Sequence, residues 1–395
     1  MLDDTALSQA LRPVFAEPHT ARGLPNLCYT DADYHRLEAN RLFARDWMCV
    51  GVGADIPRRG DAVAVDAAGQ PILLVRGKDN AVRAFHNVCR HRGALLVEER
   101  HTGPVIVCPY HSWSYGLDGA LVRTPEVGGL GVHTCPSVDK STLGLLPVRA
   151  AMWLDFVFVN LSGTAPPLDE VVAPLADAWR DYATDRLVHG ASWGLELQAN
   201  WKLAIENYLE CYHLPWVHPT LNSYSPLDLH ELEFFGDRFF GPITKAYRAD
   251  LPPELTLPTF PGLSEARWLK GEYPVAFPNL LLGIQRDQLF GIIVDPLATD
   301  RTRERVHLYF VDDGAARSEV EQARIETAKT AMIADWKSVF EEDVHIVERM
   351  QRGRANSQFD GGKLTALHDR CTRRFMQLVA DGLAPHPEPS VQAAE

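Results

Sequence analysis

The stretch CRHRGALLVEERHTGPVIVCPYHSW, residues 89–113, carries two thiols and two imidazoles in mirrored halves: Cys89-x-His91 and, sixteen residues on, Cys108-x-x-His111. Donors spaced in this way hold either one zinc ion or a two-iron cluster. Loop-built zinc sites favour a Cys pair two to four residues apart with the His pair elsewhere. Here each half supplies one Cys and one His, which suits a 2Fe–2S cluster with both thiolates on one iron and both imidazoles on the other. Neutral imidazole in place of thiolate raises the potential, so such a cluster accepts electrons readily. Each half must reach both irons, so the fold has to bring two tight loops side by side. Gly93, Gly103, Pro104, Gly116 and Gly119 supply the turns, and Tyr110, Ser112 and Trp113 are placed to shield or hydrogen-bond the cluster. A small domain suffices to hold it, and the remainder of the 395 residues must use the electrons it carries.

From Cys49 to about Asn160, short alternating runs (DAVAVDAAG, PILLVRG, AVRAFHNV) are separated by Gly, Asp and Asn turns, the pattern of a small β domain. MWLDFVFVNLSG reads as its closing strand and TAPPLDE as a linker. Ahead of it, DADYHRLEANRLFARDW has apolar residues at helical spacing. Beyond the linker, LDEVVAPLADAWRDYA, NWKLAIENYLECYH and a long segment over 319–350 read as helices. NLLLGIQ, LFGIIVDPL and RVHLYFVDD read as strands. The predicted class is α+β, divided as a helical segment over 1–45, a cluster domain over 46–160, a sheet-and-helix domain over 161–385 and a disordered tail, 386–395.

A second metal site is written in NWKLAIENYLECYHLPWVHP, residues 200–219. On a helix, Glu206, Glu210 and His213 share roughly one face. His218 lies five residues past His213, out of phase, and Pro215 between them breaks the helix so that the chain can return His218 to the same centre. Two imidazoles and one carboxylate with open positions form the facial triad of a non-haem Fe(II) oxygenase. The carboxylate is expected from the long helix. Trp336, Val339, Phe340, Val344, Val347 and Met350 form its apolar stripe, and Asp343 falls within it, whereas Glu341, Glu342, His345 and Glu348 point away. A buried Asp needs a metal or a cationic partner. A salt bridge to Arg349 or Lys202 is the bland alternative; beside the His pair, ligation is the reading adopted.

Taken together, the cluster motif, NWK…EN…ECYH…H and EEDVHIVERMQRG resemble the oxygenase (α) subunit of Rieske non-haem iron oxygenases over nearly the whole chain. The resemblance implies an N-terminal β Rieske domain and a helix-grip-like catalytic domain. It also implies a homotrimer in which Glu210 bridges a cluster imidazole, His111, of one subunit to the iron site of its neighbour. Asn207 is read as a weak extra ligand or hydrogen-bond donor at the iron. In many aromatic-ring members the bridging residue is Asp within GDxYH. Here it is Glu in ECYH, which resembles the choline, carnitine and betaine-type oxygenases, although the CYHC often seen there is CYHL.

The implied activity is O₂-dependent hydroxylation, or oxidative N-demethylation, of a small quaternary ammonium or related substrate. Alternatives are an aromatic-ring or aromatic-acid oxygenase, an electron-transfer protein without oxygenase activity, and a zinc-stabilised structural protein. Tyr208, Tyr212, Trp216, Tyr224 and Phe290 are available for an aromatic cage, and Arg286 or Lys245 for gripping a carboxylate. No dinucleotide or flavin signature is present, so electrons from NAD(P)H must arrive through a separate flavin/ferredoxin-type reductase. The net charge of −13 argues against nucleic-acid binding. No apolar run is long enough to span a membrane. The acidic N-terminus lacks signal-peptide order, and seven Cys without a dense framework fit a reducing compartment, the cytoplasm. Cys28, Cys49, Cys135, Cys211 and Cys371 are read as plain thiols. His86, His101, His133, His230, His307 and His368 are read as surface or structural.

Overall fold

Period-two patterning between Met48 and Asn160 is realised as a seven-stranded antiparallel sheet in a computed structural model that describes residues 3–383. Its strand order is Met48–Val52, Phe156–Asn160, Pro147–Trp153, Val82–His86, Gln70–Arg76, Asp61–Ala67 and Arg100–Thr102. A separate three-stranded sheet, Val105–Val107, Ser114–Gly116 and Leu121–Arg123, stands beside it. The expected closing strand, MWLDFVFVNLSG, is a hairpin instead. Leu154 takes φ 56° and turns the chain, while the Asp155 carboxylate accepts from the Ala54 N–H and the Tyr309 hydroxyl.

The second domain is an eight-stranded antiparallel sheet whose centre is Leu280–Gln285, Gln288–Ala298 and Arg301–Val311. Gln288–Val294 is buried without interruption, because a helix covers one face and the first domain the other. Leu187–Leu197, the edge strand beside Arg301–Val311, alternates as a half-exposed strand should. The long helix Glu319–Arg354 packs through Ile325, Ala328, Met332, Trp336, Val339, Phe340 and Val347. The helix Leu168–Ala178 begins inside the segment expected to be a linker.

The two domains are joined by specific polar contacts. Asn279 pairs through its side-chain amide with both backbone groups of Cys49, at 2.9 Å each. Arg305 bonds the Asp295 carboxylate and reaches the Val50 carbonyl at 3.0 Å. The N-terminal segment packs against the second domain, where the fully buried Lys202 pairs with Glu38 and the Trp201 indole donates to the same carboxylate at 2.9 Å. Such a pair costs desolvation and is retained only with its hydrogen bonds complete. The tail, 386–395, lies outside the described residues.

Candidate metal centres

The first centre sits at the tips of two loops. Cys89 follows the Val82–His86 strand, and Cys108 opens the hairpin between Val105–Val107 and Ser114–Gly116. Gly93 (φ 73°) and Ser112 (φ 58°) make the tight reversals, closed by the Cys89 N–H on Ala94 O and the Cys108 N–H on Trp113 O, 2.8 Å each. Both thiols are buried. The rings of His91 and His111 lie 4.7 Å apart, with Trp113 stacked on His91 and Tyr110 against His111. Burial pushes the Cys108 thiol up, the Tyr110 N–H draws it back, and the neighbouring Cys89 thiol raises it again. Backbone N–H groups thus aim at sulfur, as a thiolate requires. Tyr115, absent from the sequence reading, places its hydroxyl 3.3 Å from Cys89 Sγ. Among the described residues these four donors do not gather within single-ion distance of one another, whereas His213, His218 and Asp343 do. A cluster that spans two irons fits the first arrangement; one zinc ion does not.

The second centre is built from a broken helix and a continuous one. Trp201–Tyr208 is helical, and the chain leaves the helix before Glu210 rather than at Pro215. Two causes act at the break. Pro215 has no N–H to return to residue 211, and the Glu210 carboxylate captures the N–H groups of Tyr212 and His213. Glu206 consequently departs from the expected shared face. It is buried on the far side, accepting from the Tyr29 hydroxyl at 2.6 Å. His213 and His218 flank the four-residue helix Leu214–Val217, with their rings 5.1 Å apart.

Nε2 of His218 lies 2.9 Å and Nε2 of His213 3.7 Å from Asp343 Oδ1. All three donor atoms fall within 4.8 Å of one another. Asn207 donates from Nδ2 to Asp343 Oδ1 at 2.7 Å. The outer nitrogens are also engaged. His213 Nδ1 meets Glu210 Oε1, and His218 Nδ1 meets Glu342 Oε2, both at 2.7 Å. Glu342, expected to point away, therefore faces the site. Burial alone would lower the His218 pKa, but Asp343 and then Glu342 outweigh it and raise it. Lys202, an alternative partner for Asp343, is spent on Glu38.

A cavity of about 80 Å³ opens on this triad, lined by Tyr208, Tyr273, Phe290, Trp336 and Phe340 together with His213, His218 and Asp343. That is room for a few waters or one small substrate. No Lys or Arg is part of the lining. Of the aromatic residues read from sequence, Tyr208 and Phe290 reach the cavity. Tyr212 and Trp216 are exposed, and Tyr224 bonds Asp335 outside it. Arg286 is buried against backbone carbonyls and Lys245 pairs with Glu231. Trp336, Phe340 and Asp343 recur at i, i+4 and i+7. That spacing was visible in the apolar stripe, where the two rings read as plain core.

A two-loop thiol–imidazole centre and a triad open to a small cavity, in one chain, define an oxidoreductase that joins an electron carrier to a mononuclear metal site. The ring hydroxylating alpha subunit (catalytic domain) model matches residues 184–384, just over half of the chain, and the Rieske [2Fe-2S] domain model matches 46–136. The chain belongs to the ring-hydroxylating oxygenase alpha subunits, the Rieske oxygenases, whose cofactors are a 2Fe–2S cluster and a mononuclear non-haem iron. It is 28% identical to the carnitine monooxygenase oxygenase subunit of Acinetobacter pittii, over 88% of this chain and 89% of that one. It is 35% identical to the glycine betaine monooxygenase oxygenase subunit of Chromohalobacter salexigens, over 62% of this chain and 53% of that one. The chain thus spans about half the length of the glycine betaine relative. The quaternary ammonium Rieske monooxygenase CntA superposes with a TM-score of 0.77 at 23% identity, covering 95% of this chain and 98% of that one. Naphthalene 1,2-dioxygenase superposes at 0.73 with 21% identity, covering 92% and 93%. Both share the fold.

Proposed function

We propose that this chain is the terminal oxygenase component that hydroxylates a small quaternary ammonium substrate, using O₂ and electrons from NAD(P)H delivered by a separate reductase. The observation that carries the reading is the cavity wall: five aromatic side chains, carboxylates around the metal triad, and no Lys or Arg. Aromatic faces attract a desolvated cation, which an aromatic acid does not offer. The names of the carnitine and glycine betaine relatives support the same class.

In this reading Cys89, His91, Cys108 and His111 hold the 2Fe–2S cluster, and His213, His218 and Asp343 hold Fe(II). When bound, the cluster supplies electrons one at a time and the iron supplies the site of O₂ activation. The chain's own residues position the reactants. Trp336, Phe340 and Phe290 seat the ammonium, Asn207 orients the Asp343 carboxylate, and the apolar wall excludes water. Hydroxylating one C–H consumes O₂, two electrons and two protons and releases water. On an N-methyl group the product collapses: the C–N bond breaks with its electrons going to nitrogen, the hydroxyl proton leaves, and formaldehyde and an amine result.

Glu210 is the proposed bridge between subunits of a homotrimer, accepting a hydrogen bond from His111 of the partner subunit. Support comes from apolar surface at both ends. Tyr110, Val107 and Leu130 are exposed around the cluster domain, and Tyr212 and Trp216 beside Glu210. The cytoplasm is the proposed location, in keeping with seven unpaired thiols. Among the described residues no helix is long and apolar enough to cross a membrane.

The test is a substrate panel with NAD(P)H and a surrogate reductase, following O₂ uptake against formaldehyde release. Choline, carnitine and glycine betaine should stimulate uptake. Uptake with aromatic acids alone would overturn the substrate class. An intact cluster with no iron at the triad and no uptake would favour electron transfer alone.

A further inference from the structure

We infer that Glu342 is a positioning residue that fixes His218 as its Nδ1–H form and, through that ring, holds the mononuclear ion. The inference rests on the proposed reading of His218 as a ligand. Glu342 and Asp343 are consecutive on the Glu319–Arg354 helix, and they grip opposite edges of one imidazole: Nδ1 to Glu342 Oε2 at 2.7 Å and Nε2 to Asp343 Oδ1 at 2.9 Å. A carboxylate can only accept, so Nδ1 donates to Glu342 and that contact holds a proton on Nδ1. Nε2 meets the Asp343 carboxylate as a second donor, and a cation held between those two atoms would take the place of that proton while the Glu342 contact keeps the one on Nδ1.

The two imidazoles of the site are each backed by a carboxylate, but the two carboxylates are not equivalent. Glu210 lies three residues before His213 in the same loop, and its other oxygen already accepts two backbone N–H groups. Its grip is local. Glu342 comes from an element 124 residues away in sequence and ties the His218 loop to the helix that supplies Asp343. Without it the ring keeps its backbone but loses the contact that sets its rotation. His218 sits between two short helices, Leu214–Val217 and Pro219–Tyr224, at φ −121° and ψ 60°. The backbone is thus held independently, and loss of Glu342 should act on the ring rather than on the fold. Among the described residues no Lys or Arg lies within ion-pair distance of Glu342, and His218 is its one ionic partner. Its charge is therefore directed at the imidazole and, through the ring, at a cation held on the Nε2 side.

The experiment uses full-length protein with its cluster intact and the mononuclear site stripped, titrated with Fe(II) against a chromogenic chelator. Glu342→Leu should weaken Fe(II) binding by about 10- to 100-fold. Glu342→Gln keeps an acceptor at the same reach and loses only charge, so it should fall between Leu and the parent. The cluster spectrum and Tm should stay at parental values in both variants, which separates positioning from a merely structural role. His218→Ala is the control for the underlying assignment. If it binds Fe(II) as the parent does, the ligand reading fails. If His218→Ala loses the metal while Glu342→Leu keeps parental affinity, the positioning role of Glu342 is overturned on its own.

Discussion

If the cavity recognises positive charge, a neutral copy of the substrate should bind poorly. Choline and 3,3-dimethylbutan-1-ol have the same shape and differ in one central atom, N⁺ against C. Around the triad stand three carboxylates, Asp343, Glu210 and Glu342; with a divalent ion held, the centre carries a net single negative charge. A unit charge at roughly 6 Å and an effective dielectric near 20 gains about 3 kcal/mol. Glu210 and Glu342 are 19% and 34% exposed, so solvent screens part of that. Halving it and adding about 0.5–1 kcal/mol for ring faces leaves about 2 kcal/mol, or roughly 30-fold in Kd. The rings are well placed to contribute. Phe290 and Trp336 meet at 4.6 Å, Trp336 and Phe340 at 5.3 Å, and the Trp336 indole is fixed by donating to Gln288 Oε1 at 3.1 Å. Anaerobic calorimetric titration of the iron-loaded protein measures both ligands. Phe340→Leu should cost choline several-fold in affinity and the neutral alcohol little. Equal Kd values for the two ligands in the parent would refute the charge argument, whatever the turnover assays give.

Cys108→Ser should abolish the cluster's colour and reduced EPR signal and leave iron at the triad. Asp343→Ala should do the reverse, losing about one iron per chain and all turnover while the cluster spectrum stays. A normal cluster signal in the first, or full activity in the second, would sink the corresponding assignment. Glu210→Gln keeps the shape and loses the charge, so both metals should remain while single-turnover oxidation of a pre-reduced cluster slows severely; oxidation at the parental rate would remove the bridge. Burial, opposed by Arg286 and Arg248, pushes the Asp287 carboxyl up to about 6. A carboxyl raised above its unfolded value contributes stability that is full below about pH 4 and lost as pH rises through about 6. Asp287→Asn should therefore gain about 3 kcal/mol on the parent at pH 8 and nothing near pH 4. A Tm difference independent of pH would contradict that reading.

What could be read from sequence tracks the range over which each feature is encoded. The four residues proposed to hold the cluster lie within one 23-residue stretch, where two loops and their turn residues are local chemistry, so motif and fold are legible together. Asp343 lies 125 residues from His218, yet helical phase alone set it on the side of its helix that meets His218, although its side chain is 24% exposed rather than buried. The same phase misplaced Glu342. A helical wheel gives the direction of Cα–Cβ, and a glutamate has two further rotatable bonds with which to swing back toward a loop crossing its helix. The helix end at Tyr208 was missed for a related reason. Propensity favours continuing through ECYH, but the Glu210 side chain competes for the backbone N–H groups there, and such side-chain capture depends on the geometry of the folded loop. Pro242 reaches the cavity from the strand Phe239–Thr244, and Tyr273 from the break between Gly271–Glu272 and Val275–Ala276, where its N–H bonds the Pro242 carbonyl at 2.9 Å; long-range pairing places both, and no local signal marks them.

One rigid element supplies both the cavity wall and the third donor, and this couples substrate position to metal position. Trp336, Phe340 and Asp343 lie on one face of the long helix. At about 1.5 Å per residue, Phe340 is roughly 4.5 Å and Trp336 roughly 10 Å along the axis from Asp343. An ammonium seated against Phe340 is thus held within a single helical turn of the carboxylate that would ligate the ion. On the proposed reading its methyl groups would face the ion, with any tail along the aromatic wall. Because the spacing is fixed by helix geometry rather than by a loop, substrates that differ in their tails should still present the same methyl groups to the iron. This ties the proposed substrate class to the proposed chemistry, since an N-methyl carbon held nearest the iron is the carbon whose hydroxylation releases formaldehyde.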